Sequence, residues 1–394
     1  MTGENLLIQI ERLRGFTSAV ANIFLNVYLF KIGGIVVVSW FNVANFVALY
    51  AAYYATGYLL KTHSSRDIIR WGLGGLGVLY VLVFTLGEGS ADAAVLLGLV
   101  SGASYGFYWA GFNLSEYLGT KSGTRHEYFG KMRMWSAMVG AFTPLIAGGI
   151  VSGVGELVSN DAGYVTLFFI LAIALFYTVR QAGGLPEHRG AAFSGSHIVG
   201  NTRPRRWKLL LVQQFFGGLW DSSSAALIPV LLFLILTREV TLGAVGSATA
   251  VMIGIGSYVA GLALRQNTRW YVFGALMMPL GLAAFALAQN VYGIIALIVG
   301  RACLPFLYNV VDKTYYDVMD GLPGEWQERY HFIIEREFAL GAGRLLSFGA
   351  LLLLLTPQNQ VAMATQWLLI ISVLPLLVGV LQYLIRRDPA PQHA

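Results

Sequence analysis

The sequence predicts an all-α polytopic membrane protein with twelve transmembrane helices in two pseudo-symmetric six-helix bundles. Three observations carry that prediction. Of 394 residues, 56% are hydrophobic and only 12% are charged, about half the charge that the surface of a soluble domain carries. The chain divides into twelve apolar runs near the ~20 residues that one helix needs to cross a bilayer, which leaves little room for a soluble domain. Lys and Arg then alternate with those runs as a twelve-span topology requires.

The first six runs are 15–30, 35–60, 71–87, 91–117, 134–154 and 162–179, each bounded by a charge cluster or a Gly or Pro break. The second six are 209–236, 241–264, 270–288, 291–312, 338–356 and 361–385. Residues Met1 to Arg14 carry Glu4, Glu11, Arg12 and Arg14 and no long apolar core, so no cleavable leader is expected and the first span serves as its own insertion signal. Placing the N-terminus inside puts every Lys and Arg outside the spans on the cytoplasmic side except Lys31 and Arg238. Arg301 and Arg344 fall within spans. Adding or deleting one span would invert part of this pattern. The expectation is therefore a multi-pass inner-membrane protein with both termini cytoplasmic. Its net charge of +6 records topology and gives no reason to invoke nucleic acid.

The polar segment 181–207 follows the sixth span and separates an N-terminal bundle, 1–180, from a C-terminal bundle, 208–394. A weak repeat relates the two. Gly57, Lys61, Arg66 and Trp71 after span two are echoed by Gly261, Arg265, Arg269 and Trp270 after span eight, and Gly106 and Asn113 of span four align with Pro305 and Asp312 of span ten. Glycine runs such as Gly98-x-x-x-Gly102-x-x-x-Gly106 and Gly149-x-x-x-Gly153 predict close helix contacts. Gly72-x-Gly74-x-x-Gly77 matches a dinucleotide motif only as text, because it lies in an apolar helix and follows no strand. The segment from Lys313 to Glu337 is rich in mixed charge and is expected to form a short amphipathic helix broken at Gly321–Gly324.

With two six-span halves and a basic central loop, the chain resembles the major facilitator superfamily over nearly its whole length. The loop after span two, Gly57-Tyr58-Leu59-Leu60-Lys61, is similar to the family's gating loop, with Lys61 in the place of an acid and Arg66, Asp67 and Arg70 following late. Thr143-Pro144-Leu145-Ile146-Ala147-Gly148-Gly149 in span five is similar to the element of efflux-type members, with Thr for its first Gly and one extra residue. The resemblance implies secondary active transport of a small organic solute by alternating access, with spans one, four, seven and ten lining a central cavity. It also implies a gating role for Lys61, Arg66 and Asp67.

Charge within the hydrocarbon costs ~2.5–3.5 kcal/mol per residue and marks functional positions. Asp221 sits about 20 Å into span seven at 1.5 Å per residue, Arg301 reaches a similar depth in span ten, and Arg344 lies in the cytoplasmic third of span eleven. Burial would raise the Asp221 pKa and a nearby Arg301 would lower it, so Asp221 is the candidate proton-coupling group; an Asp221–Arg301 pair that only pins two helices is the alternative. Polar and aromatic residues fall on single faces of four spans. Substrate-cavity candidates are Asn22 and Asn26 with Ser18, then Tyr105, Trp109 and Asn113, then Gln214, Trp220 and Asp221, then Arg301, Tyr308 and Asn309. Glu116, Asp312 and Arg344 join the gating candidates. Phe107 and Tyr108 read as packing or lipid-facing residues, and Asn42 and Asn45 as helix-pairing groups.

An intramembrane enzyme is the competing class. None of the six histidines lies mid-span, Cys303 is the only cysteine, and neither a zinc-helix nor a nucleophile-turn motif occurs. A phosphate-binding loop is also missing, so an ion gradient and not ATP is the expected energy source. The expected partners are a small-molecule substrate, protons and the lipid bilayer, with no metal or other cofactor, and the working unit is a monomer. The span-five element favours proton-coupled export; uptake of a sugar or another small nutrient is the runner-up.

Overall fold

A computed structural model describes residues 3–120, 125–190, 192–199, 203–322 and 326–388. Among them every regular element is a helix. In chain order these are α1 (Gly3–Leu59), α2 (Ser65–Leu86), α3 (Ala94–Gly119), α4 (Arg125–Leu157), α5 (Asn160–Ala182), α6 (Ser196–Val199) and α7 (Arg205–Leu236). Then follow α8 (Glu239–Gln266), α9 (Tyr271–Ala288), α10 (Val291–Ala302), α11 (Leu304–Asp320), α12 (Trp326–Leu354), α13 (Gln360–Ser372) and α14 (Leu374–Arg387).

Eleven helical stretches among the described residues are long and apolar enough to cross a membrane. The first of them, α1, bends at Gly34, whose φ of 72° and ψ of −171° only glycine adopts without strain. That kink makes two span-length arms from one helix, so the described residues hold twelve stretches long and apolar enough to cross, as the sequence predicts. Two other crossings are interrupted. Span ten is α10 followed by α11, with Pro305 in the first turn of α11 after the break at Cys303, and span twelve is α13 followed by α14, with Pro375 in the same position. Proline is tolerated there because its missing N–H would be unsatisfied at a helix start anyway.

Several helices outrun the apolar windows that define the spans. α1 begins at Gly3 instead of residue 15, α4 at Arg125 instead of 134, and α12 at Trp326 instead of 338. An established helix adds a backbone hydrogen bond for each residue fixed, so it continues beyond the hydrocarbon where side-chain polarity no longer matters. For the same reason the charged segment from Lys313 forms no separate helix: α11 runs on to Asp320 and α12 starts at Trp326, while Pro323, Gly324 and Glu325 lie outside the described residues.

The chain packs as two compact units, Met1–Phe193 with Ile228–Ser247, and Ser194–Leu227 with Ala248–Ala394. In the first, α3 lies directly on the second arm of α1. A Cβ added to Gly98, Gly102 or Gly106 would run into the carbonyls of Phe41, Asn45 and Leu49. A Cβ on Gly72 would strike the backbone of α3 at Ser104 and Tyr108, so that glycine serves helix packing. The Gly149–Gly153 expectation is corrected: both glycines face open space, and the close approach in α4 is made by Gly148, against the carbonyl of Glu239. The two basic residues that depart from the charge bias also have local partners in this unit. Lys31 pairs with Glu239 at 2.9 Å, and Arg238 with Glu156 at 3.3 Å.

Candidate functional site

Each unit carries its own cluster of ionisable and aromatic side chains within the spans. In the first, Glu11 and Arg14 stand three residues apart on α1, so their side chains meet on one face. Arg14 Nε donates to Glu11 Oε2 at 2.7 Å, and Arg14 Nη1 donates to Ser18 Oγ at 2.7 Å. Two rings of α3 cover the guanidinium, Trp109 at 4.5 Å and Tyr108 at 5.1 Å from its carbon. The Tyr108 hydroxyl donates to Glu11 Oε2 at 2.6 Å, and Tyr105 Oη lies 3.4 Å from Ser18 Oγ. Both charges are therefore enclosed and answered, by each other and by ring faces that attract a cation.

Glu11, Arg14 and Tyr108 are the residues that sequence reasoning passed over. By sequence the two charges flank span one, and Tyr108 reads as a packing or lipid-facing residue. A signal was present nonetheless: the polar face Ser18, Asn22 and Asn26 continues backwards through Arg14 and Glu11 in helical steps. Further along that face, Asn26 Nδ2 donates to the Asn22 carbonyl at 3.1 Å. Asn26 Oδ1 accepts from Asn42 at 3.4 Å, so Asn42 ties the two arms of α1 together. Asn113 donates to the Tyr53 hydroxyl at 2.9 Å.

In the second unit the polar group sits on α7, α10, α11 and α12. Asp221 Oδ2 accepts from Arg344 Nη2 at 3.2 Å, so the acid pairs with Arg344 and not with Arg301. The pair is lopsided: the Asp221 side chain keeps half of its surface exposed and that of Arg344 only 19%. Arg301, in the last turn of α10, has Asp221 as its electrostatic neighbour. Its Nε is buried, and among the described residues it has no hydrogen-bond or ion-pair partner. The C-terminal end of a helix favours a cation by about 0.3–1 kcal/mol, well short of the several kcal/mol that burying a charge costs. Seven residues on, Tyr308 stacks on Trp220 with ring centroids 5.9 Å apart, and its buried hydroxyl also lacks a partner among the described residues. Gln214 is buried and Asn309 half-buried, while the neighbouring Gln213 holds a buried link to Gln382 at 3.0 Å that sequence reasoning missed.

Of the gating candidates, Arg344 belongs to this cluster and Asp312 is an electrostatic neighbour of Tyr308; the others lie elsewhere. Asp67 caps α2: Ser64 Oγ accepts from its backbone N–H at 3.2 Å, and Asp67 Oδ2 accepts from the Ser64 N–H at 3.3 Å. Arg66 pairs with Glu187, which also takes Arg189 at 2.6 Å. Beside them the Ser65 N–H donates to the His188 carbonyl at 3.0 Å, and partial burial pushes the His188 imidazole below its usual pKa. Lys61 is exposed, 5.2 Å from the Tyr58 ring. Glu116 is half-buried at the end of α3, and Asp312 is exposed on α11. No group of three or more His, Cys, Asp or Glu placed to hold a metal occurs among the described residues.

No family model matches the chain. The uncharacterized protein YqgE of Bacillus subtilis (strain 168) is 28% identical over 364 residues, covering 88% of this chain and 81% of that protein. A POT family transporter solved in complex with 5-aminolevulinic acid has a TM-score of 0.71 at 11% identity, over 97% of this chain and 96% of that one. A bacterial homologue of the iron transporter ferroportin, in an inward-facing state, gives 0.70 at 15% identity, over 97% and 98%. The chain shares the fold of these transporters. It is a multi-pass membrane protein of that architecture, with an enclosed ion pair in its first unit and a half-exposed Asp221–Arg344 pair in its second.

Proposed function

We propose that the protein is a secondary active transporter that exchanges protons for a small organic solute by alternating access, in the direction of export, as a monomer. The fold supports the mode of action, and the span-five element supports the direction. One observation carries the proton assignment: Asp221 is a half-exposed carboxylate in the middle of a spanning helix, held by a single 3.2 Å contact with Arg344. When water reaches Asp221 from one side it can take up a proton, which frees Arg344; when the proton leaves on the other side, the pair re-forms. Solute binding that competes for the same groups links the two fluxes. The aromatic pair Trp220 and Tyr308 supplies the apolar surface such a solute would need.

The test is Asp221→Asn in proteoliposomes with an imposed pH gradient. The variant is expected to lose gradient-driven accumulation by at least tenfold while still equilibrating solute. Accumulation at the wild-type level would remove Asp221 as the proton site.

A further inference from the structure

The spans of the second unit carry two acids, Asp221 and Asp312, and two arginines, Arg301 and Arg344, yet they are not evenly paired among the described residues. Asp221 is committed to Arg344, and Arg301 is left with a buried Nε and no partner among the described residues. An arginine cannot relieve this by losing its proton, and the acceptor that best satisfies a buried guanidinium N–H is an anionic oxygen. Tyr308 strengthens the point independently, because its buried hydroxyl is a second donor without an acceptor. It lies two helical turns beyond Arg301 and has Asp221, Asp312 and Arg344 as electrostatic neighbours. Two donors wanting acceptors, next to a stacked Trp220–Tyr308 surface, describe a receptor for a negatively charged head group on a partly apolar body. The planar guanidinium suits carboxylate and phosphate oxygens.

We propose that Arg301 and Tyr308 form the subsite for the anionic group, a carboxylate or a phosphate, of the solute this protein carries. This assignment rests on the transport reading above and narrows it to organic anions. In the first unit Arg14 is already matched by Glu11, which leaves that cluster no comparable demand.

The experiment is thermal denaturation of the purified full chain with four groups of probes. They are anions (benzoate, phenylphosphonate, succinate), neutral benzyl alcohol, cationic benzyltrimethylammonium, and phosphatidylglycerol, which offers a phosphate on a lipid. At least one small anion is expected to raise the wild-type melting temperature where the neutral, cationic and lipid probes do not. In Arg301→Gln the apparent affinity should fall at least tenfold, and in Tyr308→Phe about threefold. Arg301→Lys, which keeps the charge, guards against misfolding of the glutamine variant and should retain a weakened shift. The proposal is overturned if no small anion stabilises the wild type, if the shift is the same in Arg301→Gln, or if the neutral, cationic or lipid probe does as well. Proteoliposomes separate this failure from that of the transport reading. Gradient-driven movement of benzyltrimethylammonium without phenylphosphonate would leave the transporter standing and remove the anion subsite.

Discussion

Glu11 and Arg14 form an ion pair that no solvent shares equally, roofed by Trp109 and Tyr108. Removing one member of such a pair leaves the other buried and unanswered, a loss of about 3–5 kcal/mol. Glu11→Gln is therefore expected to destabilise the protein by about 3 kcal/mol in denaturation of the purified chain, the ring faces over Arg14 recovering part of the charge energy. Tyr108→Phe removes only one hydrogen bond to a charged acceptor and should cost about 1.5–3 kcal/mol. Equal, near-zero losses would mean that the cluster is wet. At this scale the sequence exposed single residues better than pairs. Asp221, Arg301 and Arg344 stand out because charge is rare in apolar runs, but Asp221 and Arg344 are 123 residues apart, and nothing local says which arginine folds onto the acid. Glu11 and Arg14 were hidden for the opposite reason: charges at the edge of an apolar run look like ordinary flanks until α1 is seen to start at Gly3.

At the scale of elements, the glycine face of α3 determines how closely it approaches α1. Gly102→Leu is expected to prevent that packing and abolish recovery of folded protein, because its Cβ would collide with the Asn45 backbone; the same change at Gly149, which faces open space, should leave recovery unchanged. The periodic spacing of glycines was legible, whereas which of two similar runs meets a neighbour depends on tertiary placement. The loop docked on α2 gives a pH-dependent prediction. His188 has a folded-state pKa below its unfolded value of about 6.5, because burial disfavours the imidazolium. Its contribution is full above that value and is lost as pH falls through the lower folded pKa. Lowering the pH from 7 to 5 should thus reduce the melting temperature of the wild type more than that of His188→Asn; identical pH profiles would show that the docked loop does not report on folding.

For the whole molecule, the arrangement of the chain was legible because the bilayer restricts it so severely. Span length, backbone hydrogen bonding and the side-to-side bias of Lys and Arg each act on the sequence independently, and together they give the twelve span-length stretches, including the two joined through Gly34 in α1. Packing between spans follows no such local rule, which is why Ile228–Ser247, the end of α7 and the start of α8, joins the first unit without any mark in the sequence. The central claim, that this architecture couples a proton gradient to solute movement, is tested most directly by solute accumulation in proteoliposomes with an acidic lumen and no ATP. The account predicts accumulation above the external concentration, abolished by a protonophore. Solute that merely equilibrates, with or without the protonophore, would contradict it.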